Sequence, residues 1–471
     1  MMNTQQREVN STIMKNYSLK PTEENALQLM KSDPIGRNQA VFRFVQMLDN
    51  IDDCCTIAVN GEWGAGKTFF IRQVKLILDA QNPQSKMDKE LRNDVNRLIP
   101  DDFKYQNSYA TVYYDAWLND VHEDPILSLI YAIVSSNQSE FALEKKRSIL
   151  NGAAAIASAL SGRDFSKVWK EAKGEDPFSE MKNADDIRCM VREFINSLIY
   201  EHGNRLVIFI DELDRCKPDY AIRFLERIKH YFDNEQVVFV FSVSLSQLQW
   251  TVKSYYGSGF NATRYLDKFF DLRTTLPKVD YDKYINHRFG FDGSYYIFDT
   301  VCVEVVKYFN FSLRESERYI RLVKIAGQQS AHNFSGGFSE QKAVYFSIYY
   351  VVPIIIGLQM ADMQDYTDFV EGRDAKHMLE ILQSPNIRLR TDYLMLPNES
   401  YNEDTRTFEK AGSSVKLEDR LLAVYDALFS KLYDNRYREN DVGAMSFSMD
   451  TRKNIDEIVA LISRFADYKF E

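Results

Sequence analysis

Apolar residues follow two different spacings along the chain, and the change falls near Pro277. Before this point, short apolar runs alternate with segments whose apolar residues recur every three or four positions. Such alternation predicts strands and helices in turn, and therefore a parallel sheet covered by helices. The predicted strands are 56–60, 109–114, 205–210, 237–243 and 272–276.

After Pro277 the strand pattern stops and helical spacing continues to the end of the chain. This change predicts an α/β domain at 33–277 followed by an all-α C-terminal domain at 278–471. Residues 1–32 are polar and are predicted to form an arm, and 136–185 is predicted to be an insertion in the first domain. The predicted helices are 39–48, 67–80, 125–135, 186–200, 220–232, 312–326, 417–434 and 454–468.

Composition removes several classes of protein. The 31 Phe and 28 Tyr residues supply far more buriable surface than a disordered chain carries. With 58 Lys and Arg against 68 Asp and Glu, the net charge is −10, which disfavours coating of nucleic acid through a global basic field. Local binding of nucleic acid remains an alternative at 433–438 (YDNRYR), where aromatic and basic residues alternate. A solvated helix face explains this pattern equally well.

Cysteine usage and the N-terminal sequence both indicate a cytoplasmic protein. The five cysteines form neither a CxxC pair nor a Cys/His cluster, so neither a disulfide framework nor a zinc site is expected. The first 20 residues lack the apolar stretch of a secretory signal. The cysteines are Cys54, Cys55, Cys189, Cys216 and Cys302.

One segment raises the question of a membrane. Residues 343–361 carry no charge over 19 positions, which is close to the length of a spanning helix. Pro353 and Gly357 interrupt the segment, and acidic instead of basic residues follow it. A buried helix in a helical domain is therefore the favoured interpretation, and membrane contact is the alternative.

A glycine-rich segment lies between the first predicted strand and the helix that follows it. It reads GEWGAGKT at 61–68 and satisfies the pattern GxxxxGK[ST] in the strand and helix context that this pattern requires. Glycines allow backbone N–H groups to turn toward a phosphate, and the helix N-terminus carries partial positive charge. The candidate nucleotide-binding residues are Gly61, Glu62, Trp63, Gly64, Ala65, Gly66, Lys67, Thr68 and Phe69.

A second motif, IFIDELDR at 208–215, ends an apolar strand with carboxylates. In a nucleotide hydrolase, Asp211 would hold Mg²⁺ together with the Thr68 hydroxyl, and Lys67 would bridge the phosphates. Glu212 would polarise the attacking water as general base. The two motifs together predict a site for a nucleoside triphosphate and Mg²⁺.

The two motifs together resemble the KAP family of P-loop NTPases. Four further segments agree with this family in order, and the resemblance spans 33–326, which leaves the last 145 residues outside it. These segments are DPIGR (33–37), DAW (115–117), RYLDKFFDLRTTLP (264–277) and SLRESERYIR (312–321).

The resemblance implies an additional-strand P-loop sheet that hydrolyses ATP, with polar residues acting as sensors. Ser244 stands where the family usually has an aspartate. Basic residues are candidates to meet the γ-phosphate in cis or from a neighbouring subunit. For Arg215 the alternative is an ion pair with Asp214 or Asp219. The basic candidates are Arg215, Arg264, Lys268 and Arg314.

Three hypotheses for the function follow from these motifs. The first is an ATPase that couples nucleotide state to homo-oligomerisation or to a partner protein, and the resemblance implies a setting in bacterial anti-phage defence. The second is a nucleotide-gated adaptor with little turnover, which Ser244 favours. The third is a membrane-associated NTPase that uses 343–361. Many family members carry membrane helices before the Walker B strand, but the small-residue run at 149–162 is too short to span a bilayer.

Overall fold

The computed structural model describes most of the chain. The described residues are 20–137 except 102, 104, 105 and 123; 156; 184–289 except 233; 296–330; 338–430; 440–448; and 451, 453, 455 and 457. Most of the predicted insertion and of the helix at 454–468, and all of 433–438, lie outside these residues. The chain divides into two compact units, Met1–Lys278 and Val279–Glu471.

A five-stranded parallel sheet forms the centre of the first unit. Its order is β2-β3-β4-β1-β5, so β4 separates β1 from β3. This arrangement confirms the predicted additional-strand sheet, and each predicted strand is found to within one residue at either end. The strands are β1 (Cys55–Asn60), β2 (Tyr109–Asp115), β3 (Arg205–Asp211), β4 (Val237–Val243) and β5 (Leu272–Thr275).

Helices cover both faces of this sheet, and each face has its own core. Along β3, Leu206, Ile208 and Ile210 belong to one core, while Val207 and Phe209 belong to the other. Burial on both faces explains why this strand is apolar without alternation. The helices of the unit are α1 (Glu23–Ser32), α2 (Asn38–Asp49), α3 (Lys67–Gln81), α4 (Lys89–Asn96), α5 (Pro125–Asn137), α6 (Ala184–His202), α7 (Pro218–Tyr231), α8 (Leu245–Tyr256) and α9 (Ala262–Leu266).

Helix α1 corrects the prediction of a polar arm for residues 23–32, while 1–19 lie outside the described residues. Thr22 caps its N-terminus by accepting a hydrogen bond from the Asn25 N–H. Ala26, Leu27 and Met30 are buried in the core that also contains residues of α3. The three buried residues in ten make only a narrow apolar stripe, and this small number hides the helix in a segment that is otherwise mostly polar.

The second unit is mainly helical, as predicted, but the prediction that strands stop at Pro277 is wrong. Its described residues include two small antiparallel sheets, β6-β7-β8 and β9-β10. Their strands have three or four residues, too few to show a clear alternation. The strands are β6 (Ser400–Asn402), β7 (Thr407–Lys410), β8 (Ser413–Lys416), β9 (Asn440–Val442) and β10 (Met445–Phe447). The helices are α10 (Tyr281–Phe289), α11 (Tyr296–Tyr308), α12 (Leu313–Ser330), α13 (Phe338–Phe346), α14 (Val352–Ala361), α15 (Met363–Val370), α16 (Lys376–Leu382), α17 (Thr391–Leu394) and α18 (Leu417–Tyr425).

The uncharged segment lies in the interior of the second unit. A π-helical turn, Ser347–Val351, joins α13 to α14 and makes Ser339–Ala361 one helix long and apolar enough to cross a bilayer. Of its most apolar window, 78% is buried by protein. A Cβ built on Gly357 would come within 2.5 Å of the Val305 side chain, so the neighbouring helix α11 packs closely there. The packing favours the interpretation as a core helix over membrane contact.

Candidate functional site

The glycine-rich loop begins at the carboxyl end of β1 and ends where α3 starts. Gly64 and Gly66 have φ values of 79° and 86°, in the left-handed region where any side chain is strained. The Gly61 N–H donates to the Val243 carbonyl at 3.3 Å, which ties the start of the loop to the end of β4. The loop therefore curves back over the carboxyl edge of the sheet, with the N-terminus of α3 facing the same edge.

Lys67 is folded back onto the loop. Its Nζ donates to the carbonyl oxygens of Gly61 at 2.7 Å and of Glu62 at 3.2 Å. Burial lowers the pKa of Lys67, and the nearby carboxylates of Asp214 and Asp211 oppose this shift. The ammonium group thus already lies inside the loop, where a bound phosphate would compensate its charge.

Asp211 ends β3 and is buried. Its carboxylate accepts a hydrogen bond from the Tyr113 hydroxyl at 2.8 Å, and it is also hydrogen-bonded to Thr68. Burial raises the pKa of Asp211, and these hydroxyls oppose the rise by stabilising the ionised form. The loop and the second motif, which are 143 residues apart in sequence, therefore meet at one point.

The oxygen donors at this point fit Mg²⁺. Mg²⁺ binds hard oxygen ligands, and in nucleotide sites it uses one or two protein oxygens together with phosphate oxygens and waters. Thr68 and Asp211 supply such a pair. Among the described residues, no group of three or more His, Cys, Asp or Glu side chains forms a self-sufficient metal cage. The donor set thus suits a metal that arrives with a phosphate.

Glu212 follows Asp211 in a strained conformation. Its φ of 60° lies in the left-handed region, which turns its side chain away from the path of the strand. Burial, with a further contribution from Asp211, raises the pKa of Glu212 to about 7. A carboxylate with a pKa near neutrality is suited to accept a proton.

Arg215 is close to the site but pairs with neither of the carboxylates expected from the sequence. Its guanidinium forms an ion pair with Glu212. It also lies 5.7 Å from the ring of Trp63 and 5.6 Å from the ring of Trp117. Because the guanidinium of Arg215 is paired with Glu212 in this structure, the prediction that Arg215 contacts the γ-phosphate has no direct support here.

Ser244 lies at the end of β4 and is fully buried. Its hydroxyl is 2.9 Å from the Ser246 hydroxyl, and its backbone N–H donates to Asp214 at 3.0 Å. Asp214 was not among the predicted site residues. It sits in the IDELDR motif, but nothing in the sequence indicates which of the three carboxylates reaches the loop and β4.

Lys268 lies at the other edge of the sheet, and Arg264 belongs to α9, the helix just before it. The Lys268 carbonyl accepts from Lys229 at the C-terminal end of α7, and Asp271 exchanges hydrogen bonds with Thr56 at the start of β1. The six residues of β1 separate this edge from the glycine-rich loop by about 20 Å. The main chain at Lys268 is therefore remote from the phosphates of the same chain, and the roles of Lys268 and Arg264 stay predictions.

The last predicted basic residue, Arg314, lies outside the first unit. Arg314 lies in α12 of the second unit, so the structure assigns it to a different unit from the loop.

Arg37, the last residue of DPIGR, is buried and was not predicted as a site residue. It donates to the Ala65 carbonyl in the loop at 2.6 Å and to the Pro277 carbonyl at 2.8 Å. Arg37 thus links the glycine-rich loop to the segment that follows β5.

Comparison with known proteins gives a match to a family model and distant matches to solved structures. The model of the KAP family P-loop domain matches residues 37–287, a range that includes the loop, β3 and the carboxylates after it. No curated protein matches the chain. Among solved structures, the chain is similar to "Structure of the Aeropyrum Pernix ORC2 protein (ADPNP-ADP complexes)", with 13% identity, 83% of this chain and 92% of the other covered, and a TM-score of 0.32.

Proposed function

The chain belongs to the KAP family of P-loop NTPases, and from this membership we propose that it binds ATP with Mg²⁺ and hydrolyses it. One observation carries the proposal: Lys67 and Thr68 of the loop lie beside Asp211, the last residue of β3, and Glu212, which follows it, at the carboxyl edge of the sheet. Binding and hydrolysis both require these four residues to lie close together, because the phosphate, the metal and the attacking water must be held within one small volume.

Each group has a separate task in this proposal. The backbone N–H groups of the loop and the start of α3 surround the phosphates, and Lys67 exchanges its loop carbonyls for phosphate oxygens. Thr68 and Asp211 would hold Mg²⁺, which would supply charge neutralisation at the phosphates. Glu212 accepts a proton from water as the water oxygen bonds to the γ-phosphorus and the bond to the ADP oxygen breaks.

Release of phosphate by the purified protein tests this proposal. The protein is incubated with ATP in the presence of Mg²⁺ or of a chelator, and phosphate is measured over time. The proposal requires release that depends on Mg²⁺. A parallel reaction with GTP determines the preferred base. Absence of release in all of these reactions would contradict hydrolysis.

A nucleotide-gated adaptor with little turnover is the second candidate. Two contacts favour it: Glu212 is engaged by Arg215, and the Ser244 hydroxyl is engaged by Ser246. Both groups would have to change partners before they could act on a water. Tight ATP binding with turnover slower than once in many minutes would decide for the adaptor.

Tyr113 is expected to orient Asp211 toward the metal. Replacing Tyr113 with Phe removes the hydroxyl donor but keeps the ring, so Asp211 loses one of the groups that fix its carboxylate. We expect the Mg²⁺ concentration for half-maximal hydrolysis to rise about tenfold, as for other groups that orient metal ligands. Tyr114→Phe is the matched control, because its hydroxyl bonds to Ser128 in the core on the opposite face. Equal Mg²⁺ requirements for the two variants would contradict this role.

Assembly is suggested by the position of Lys268. Since its main chain is remote from the loop of its own chain, we propose that Lys268 or the nearby Arg264 meets the γ-phosphate of a neighbouring copy. Each chain would then need a second chain for full activity, which couples nucleotide binding to oligomerisation.

Mixing two inactive proteins tests this assembly. One protein carries Lys67→Ala, and the other carries Arg264→Ala with Lys268→Ala. Each alone is expected to lose most activity, whereas a mixture should recover part of it, because intact sites meet intact basic residues. Mass measurement with and without ATP should show a larger species with ATP. A mixture no more active than its components, with one mass throughout, would contradict action between subunits.

The biological setting that the family resemblance supports is anti-phage defence in the bacterial cytoplasm. The apolar helix Ser339–Ala361 is packed mostly inside the second unit, which supports a cytoplasmic protein over a membrane-associated one. Plating of phage on cells that express the wild-type chain or Lys67→Ala tests the setting, and fractionation without detergent tests the compartment.

A further inference from the structure

Trp63 connects the phosphate loop to a buried carboxylate. Its indole Nε1 donates to Asp214 Oδ2 at 2.7 Å across 151 residues of sequence. The side chain is 45% exposed, so burial of the ring does not by itself explain its position in the loop. The polar end of the indole is the part that the protein uses.

Asp214 is held from two sides. It is 5% exposed, and the oxygen that accepts from Trp63 also accepts from the Ser244 N–H at the end of β4. Its other oxygen, Oδ1, is buried without a hydrogen-bond partner among the described residues. A carboxylate buried with so few donors depends strongly on each of them.

The same carboxylate acts on the phosphate-binding lysine. Of the charges that oppose the fall in the pKa of Lys67, the charge of Asp214 makes the largest contribution, ahead of Asp211 and Glu212. Asp214 thus contacts the loop through Trp63, contacts β4 through Ser244, and stabilises the charge of Lys67. No metal or water-activating task is needed to explain its place.

We propose that Asp214 is a positioning residue that fixes the phosphate loop against the end of β4 through the Trp63 indole. This inference rests on the proposed function, since the loop must bind a phosphate for its position to matter. The hydrogen bond orders the loop before the nucleotide binds. Nucleotide binding therefore does not have to supply the free energy that ordering the loop would cost.

The expected consequence is a change in binding more than in chemistry. A loop that is less well ordered binds the substrate and the transition state less tightly by similar amounts. This raises KM and the dissociation constant with little change in kcat. Trp63→Phe keeps the ring and removes the donor. Asp214→Asn keeps an oxygen that accepts from both donors, whereas Asp214→Ala removes both contacts.

The experiment measures ATP dissociation constants, KM and kcat for these variants and for the double variant Trp63→Phe with Asp214→Ala. Trp63→Phe is expected to weaken ATP binding about tenfold, as for loss of a hydrogen bond to a charged group. Asp214→Ala should weaken it at least as much, Asp214→Asn should restore most of the loss, and the double variant should be no worse than Asp214→Ala. Trp117→Phe is the matched control, since its half-exposed ring also lies over Arg215, and binding should stay within about twofold of wild type.

Three results would overturn the inference. They are equal losses for Trp63→Phe and Trp117→Phe, losses of Trp63→Phe and Asp214→Ala that multiply in the double variant, and a fall in kcat with unchanged affinity. Thermal unfolding of the same proteins shows which variants are folded, and Asp214→Asn keeps the test valid where Asp214→Ala does not fold. Absence of ATP binding by the wild-type chain would overturn the proposed function together with this inference, whereas normal wild-type binding with no effect of Trp63→Phe would overturn the inference alone.

Discussion

Replacing Glu212 with Gln should lower the rate of ATP hydrolysis by about 100-fold or more while ATP binding is kept. Glutamine has the same size but cannot accept a proton from water, so the chemical step loses its base. The phosphate contacts of the loop and the Thr68 and Asp211 oxygens are unchanged by the substitution. The measurements are turnover at saturating ATP and the dissociation constant for ATP.

Asp219→Asn is the matched control for this variant. It also replaces a carboxylate with an amide eight residues beyond the strand that ends at Asp211, but Asp219 is exposed and pairs with Arg223 on the surface of α7. Its turnover should equal that of the wild type. If Glu212→Gln hydrolysed ATP at the wild-type rate, the assignment of Glu212 as the base would be wrong.

Replacing Lys67 with Ala should weaken ATP binding by about 100-fold, because a buried ammonium makes charge-assisted bonds to phosphate that no other group can replace. The variant also loses the contacts of Nζ with the Gly61 and Glu62 carbonyls, which fold the loop in this structure. The measurement is equilibrium binding of ATP in the presence of Mg²⁺.

Lys89→Ala provides the control for loss of a positive charge. Lys89 is exposed at the start of α4 and makes no contact that the proposal uses. Its affinity for ATP should be that of the wild type. Lys67→Ala protein that is folded and binds ATP as tightly as the Lys89→Ala control would contradict the placement of the phosphates in the loop.

Much of the first unit could be predicted from the sequence, because its elements carry strong local signals. Strand β3 is buried on both faces and is therefore apolar throughout, and Gly64 and Gly66 occupy conformations that require glycine. Helix α3 follows directly from the loop pattern. The placement of Lys67 and Thr68 beside Asp211 also follows, since parallel strands end at the same edge.

Other features depend on contacts that leave little trace in the local sequence. Helix α1 has too few apolar residues to stand out, and the short strands β6 to β10 are ordered by their neighbours. The bond between Trp63 and Asp214 joins residues that are 151 positions apart, and no spacing rule connects them. Arg215 had carboxylates at several suitable spacings, and only the turn after β3 selects Glu212.

The central claim is that one site, formed by the loop and the end of β3, both binds ATP and hydrolyses it. The most direct test is to incubate wild-type and Glu212→Gln proteins with ATP and Mg²⁺, and to measure the amount and identity of the nucleotide that each retains. The account predicts about one nucleotide per chain in both, with ADP in the wild type and ATP in the variant. No retained nucleotide in either protein, or intact ATP in both, would contradict it.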